Sequence, residues 1–111
     1  MRDGITLHLA GQPVELVPTL GAAVELNRRH GGLMNLLAAL DRYDLNAAVD
    51  VVLAARGLPE ASRQETTAAV YEHGLATLTP DLVRFVILLS NGGRSPTEKD
   101  EEAKEADRPF A

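Results

Sequence analysis

The sequence predicts an α+β fold that is mostly α: an N-terminal two-stranded β-hairpin packed on a bundle of about four to five short helices. Three observations predict it. Ile5, Leu7 and Leu9 alternate with Thr6 and His8, and Val14 and Leu16 flank Glu15, which is the period of half-buried strands. From Thr19 onward, apolar residues recur at helical spacing between cap and stop residues. After Gly92 the apolar residues almost vanish, so 1–92 reads as one folded domain and 93–111 as a disordered charged tail.

The hairpin spans 5–17. With Gly11-Gln12 as a type II′ loop, Leu9 would oppose Val14, Leu7 would oppose Leu16, and His8 would face Glu15 on the wetter side. Pro13 lacks an N–H and suits an edge strand. Thr19 is placed to cap a helix over about 19–30, with Leu20, Ala23 and Val24 as its apolar stripe and Glu25 paired to Arg29. Gly31-Gly32 ends it. A second helix covers 33–40. Asp44 caps a third over 44–56, with Leu45, Ala48, Val49, Val52 and Leu53 on one face and Gly57 as its stop. Ser62 and Glu65 have capping-box spacing for a fourth over 62–74, whose buried side is Ala69, Val70 and Leu75.

The last element, "TPDLVRFVILLSNGG", has seven large apolar residues in the eight positions 82–89. Three are β-branched and would suit a strand, but Thr79 as N-cap, Pro80 in the first turn and Asp81 beside it predict a helix over 79–91. A helix apolar nearly all round must be covered. Either it is the centre of the core, or Leu82, Phe85, Val86 and Leu89 offer one side to a partner.

Composition narrows the function. The net charge is −5, with six acids and four bases in 94–108 and ten acids and seven arginines elsewhere, so no basic footprint for nucleic acid is formed. Aromatics are 4% and cysteine is absent, which removes stacking platforms, disulfides and thiol chemistry. No apolar run is long enough for a membrane span or signal peptide, and a cytoplasmic location is expected.

No residue set points to catalysis, a cofactor or a metal. His8 is expected to face solvent, while His30 and His73 suit helix C-termini. The glycine pairs follow no strand and precede no Lys-Ser/Thr, so they are stops, not phosphate cradles. Ser62, Ser90 and Ser95 lack a nucleophile-elbow setting. Arg28-Arg29 reads as a solvated helix end, and Asp41 and Asp50 as exposed face.

The order of these pieces resembles the small tail-assembly family of gene transfer agents and long-tailed phages. Pro18-Thr19, Gly21, Glu25, Gly31 and the Leu33–Leu37 run carry the resemblance, with Asn27-Arg28-Arg29 where that family has a more acidic run; it covers 5–92. It implies a hairpin with a helical body and a tail assembly chaperone that binds the apolar tape-measure protein, with the tail tube protein or a second copy as further partners. No catalytic residue is implied. Alternatives are a structural tail component, such as a tube or adaptor protein, an unrelated protein-interaction domain and, last, a small enzyme.

Overall fold

The computed structural model describes residues 4–94; the expected tail, beyond Arg94, lies outside the described residues. The chain runs β1 (Ile5–Leu9), β2 (Gln12–Leu16), α1 (Leu20–His30), α2 (Leu33–Asp41), α3 (Leu45–Arg56), a 3₁₀ turn (Glu60–Ser62), α4 (Arg63–His73) and α5 (Leu75–Ser90). The predicted hairpin and helical body are present.

The hairpin turns one residue earlier than expected, at Ala10-Gly11. Both residues have positive φ, 52° and 75°, as a type I′ turn requires. Ile5 therefore pairs with Leu16, Thr6 with Glu15, Leu7 with Val14, His8 with Pro13 and Leu9 with Gln12. Pro13 explains the choice. A Gly11-Gln12 loop would put it in the hydrogen-bonded pair closing the turn, where its missing N–H is needed; the observed register puts it in the next pair, whose N–H groups point outward. The slip is two residues across the pair, so the faces are preserved, and Ile5, Leu7, Leu9, Val14 and Leu16 are all buried.

In α1 the Thr19 hydroxyl accepts from the Ala22 N–H at 3.0 Å, as expected. The apolar stripe is different: Ala22 and Leu26 are buried, Ala23 is half-buried, and Leu20 and Val24 face solvent. A two-residue offset is about 200° on a helix, so Leu26 and Val24 cannot both face the core. Gly31, at φ 67°, ends the helix by letting the Gly32 N–H reach the Asn27 carbonyl. The end of α2 is made the same way, with Asp44 N–H bonded to Ala39 O, but Tyr43 occupies the left-handed position at φ 60°.

The Asp44 carboxylate caps α3 at the Ala47 N–H, 3.1 Å away. Beyond the expected face, Ala47, Val51 and Ala55 are also buried, because α3 packs against β2 and each of the other helices. Val17 N–H donates to Ala55 O at 3.1 Å, fixing the hairpin exit to the end of α3.

One predicted cap and one predicted helix start change. Ser62 precedes α4, but its side chain makes no capping bond: its ψ of 0° belongs to the 3₁₀ turn, not to the extended conformation of a capping residue. The final helix begins at Leu75 after Gly74, so Thr79 is a buried interior residue and Pro80 lies inside the helix. Starting early buries Leu78 completely and half-buries Leu75, which offsets the backbone bond that Pro80 cannot make to Ala76.

Candidate functional site

Leu82, Phe85, Val86 and Leu89 are all in the core, with exposures of 0%, 0%, 0% and 7%. The helix periodicity places them inward on α5, which packs against each of the other four helices. They offer no docking side on the folded domain, so the choice between core and partner face falls to core, and the partner-facing assignment is withdrawn. Ile87 and Val83 are half-buried on the same helix.

The apolar surface is instead on α1. Leu20 is 70% and Val24 58% exposed, one turn apart, with Val17 preceding them at 39%. The cause is the inward pull on the opposite side: Ala22, Leu26 and His30 fall on one line at four-residue intervals, ending in a contact with α3. Met34, Tyr43 and Tyr71 are further exposed large side chains, one each on α2, the α2–α3 turn and α4.

That contact belongs to a polar staple joining α1, α3 and α4. The Asp50 side chain is only 10% exposed and meets Arg63, the His30 Nε2 at 3.0 Å and the Arg29 Nη1 at 3.5 Å. Glu25 accepts from Arg29 Nε at 2.8 Å and Arg28 Nη2 at 2.7 Å. Glu60 binds Arg63 and, at 3.4 Å, Arg29. The Arg29 hydrogen bond, then that of Arg28, holds the Glu25 carboxyl below the usual carboxylate range; Arg63 does the same for Glu60. In return Glu25 raises Arg29, and Glu60 followed by Asp50 raises Arg63. Each carboxylate is engaged by a guanidinium, so the cluster ties α1, α3, the 3₁₀ turn and α4 together.

His30 is thus more than a helix-end residue, and Asp50 is not exposed face. The signal was available in α3 itself: an acid set between the apolar runs Ala47–Val49 and Val51–Ala55 needs partners. His8 is exposed, as expected, but opposite Pro13, and His73 ends α4 half-buried. Among the described residues no three His, Cys, Asp or Glu side chains are grouped to hold a metal ion, and no helix is long and apolar enough to cross a membrane. A half-open hollow of about 610 Å³ lies between the hairpin tip and α4, lined by Leu9, Val14, Leu58, Ala69 and Tyr71 among others.

No family model, curated protein or solved structure matches this chain.

Proposed function

We propose that the chain is a non-enzymatic tail assembly chaperone, which binds the apolar, helical tape-measure protein and keeps it soluble in the host cytoplasm while tube subunits assemble around it. The supporting observation is the solvent-facing Val17, Leu20 and Val24 on and before α1. Side chains at i and i+4 on a free helix face suit an amphipathic client helix, whose own anchors repeat at the same interval. The patch is small and shallow, which favours a grip that polymerising tube subunits can displace. The arrangement of hairpin, small-residue helix and Gly-ended apolar helix over 5–92 supplies the class of client through its resemblance to tail-assembly proteins.

A chaperone leaves before the particle is finished. Quantitative mass spectrometry of purified tailed particles against the producing lysate should find the chain abundant in lysate and missing from particles. A fixed ratio to the tube protein would make it a structural tail component instead.

A further inference from the structure

We propose that the outer edge of β1 pairs with β1 of a second copy, joining two hairpins into a four-stranded antiparallel sheet. The two-residue turn makes Leu9 and Gln12, Leu7 and Val14, and Ile5 and Leu16 the hydrogen-bonded pairs, because these alternate from the turn outward. The N–H and C=O groups of Thr6 and His8 consequently point away from β2. Among the described residues none of these four groups meets another hydrogen-bonding group of the domain. Unpaired buried backbone is rare and Thr6 and His8 are exposed, so among the described residues this edge is left to water.

The two edges are not equivalent. The outward positions of β2 are Pro13, which has no N–H, and Glu15, both features that keep natural edges from pairing. The outward positions of β1 are Thr6 and His8, and the strand Ile-Thr-Leu-His-Leu has no proline, no acid and no Lys or Arg. It is also complementary to itself. About a two-fold axis at Leu7, Thr6 of each copy lies opposite His8 of the other, exchanging backbone bonds, while Leu7 meets Leu7 and Ile5 meets Leu9 on the face the helices already cover. Because His8 of each copy lies opposite Thr6 of the other, no two charged side chains oppose each other across the junction, and a second copy fits this edge without repulsion.

The test is analytical ultracentrifugation over a wide concentration range, with amide hydrogen exchange on the same samples. A dimer is expected whose formation slows exchange at Thr6 and His8 together. The T6K/H8K variant changes two exposed side chains, places lysine opposite lysine across the axis, and should stay folded by circular dichroism while shifting dimerisation at least tenfold toward monomer. His8→Pro, which deletes an outward N–H, should do likewise. A protein that stays monomeric at several hundred micromolar overturns the proposal. So does a dimer with freely exchanging Thr6 and His8 amides, or one that T6K/H8K leaves intact. Protection of those amides only on adding tape-measure protein would assign the edge to that partner instead.

Discussion

Asp50 and Arg29 each meet three partners, and Asp50 is the more buried of the two. Removing it leaves Arg63, Arg29 and His30 converging on an empty acceptor. The two arginines are 25% and 36% exposed, so water relieves part of the loss, and Asp50→Ala should cost about 1–3 kcal/mol in urea unfolding. Tyr43 acts in the opposite direction. An exposed aromatic residue at φ 60° occupies a position that favours glycine, and Tyr43→Gly should raise stability by about 1 kcal/mol, read as a higher denaturant midpoint with an unchanged slope. The acid response follows from Glu25 and Glu60. Their pKa values are lowered in the folded state, so their contribution is complete above the ordinary carboxylate range and is lost as pH falls through the lowered values. Replacing both with glutamine should flatten the low-pH decline in stability, and salt should reduce the difference, since both are solvent-exposed.

At the scale of elements, the start of α5 separates two accounts of one stretch. If the helix began at Thr79, Pro80 would be its favoured first residue and Pro80→Ala would be neutral or destabilising. Because the helix begins at Leu75, Pro80→Ala restores a backbone donor to the ladder and should stabilise the protein by up to about 3 kcal/mol, measured by thermal and urea unfolding. The strands, most helix ends and the caps Thr19 and Asp44 were legible because each rests on local chemistry: alternation, a side-chain acceptor, a glycine. What was not legible depended on contacts across the chain. Leu78 pulls α5 one turn earlier, the 3₁₀ turn takes Ser62 out of its capping geometry, and the His30–Asp50 contact turns Leu20 and Val24 outward. The same rotation hid the exposed patch, since a helix with apolar residues on two sides does not say which side faces in.

For the whole molecule, the core and the exposed patch assign different roles to different apolar residues. Phe85 is fully buried at the centre, and Phe85→Ala should cost about 3–5 kcal/mol of stability. Leu20 and Val24 are surface residues whose replacement should change stability by no more than about 0.5 kcal/mol, and under the proposed function their effect falls on binding. Co-expression of the tape-measure protein with the wild-type chain or with L20D/V24D tests that division directly, with the soluble fraction of tape measure as the readout. Soluble, co-purifying tape measure is expected with the wild type, and its loss to the pellet with a folded L20D/V24D protein. Tape measure that stays insoluble with the wild type, or equally soluble with both, would contradict that division.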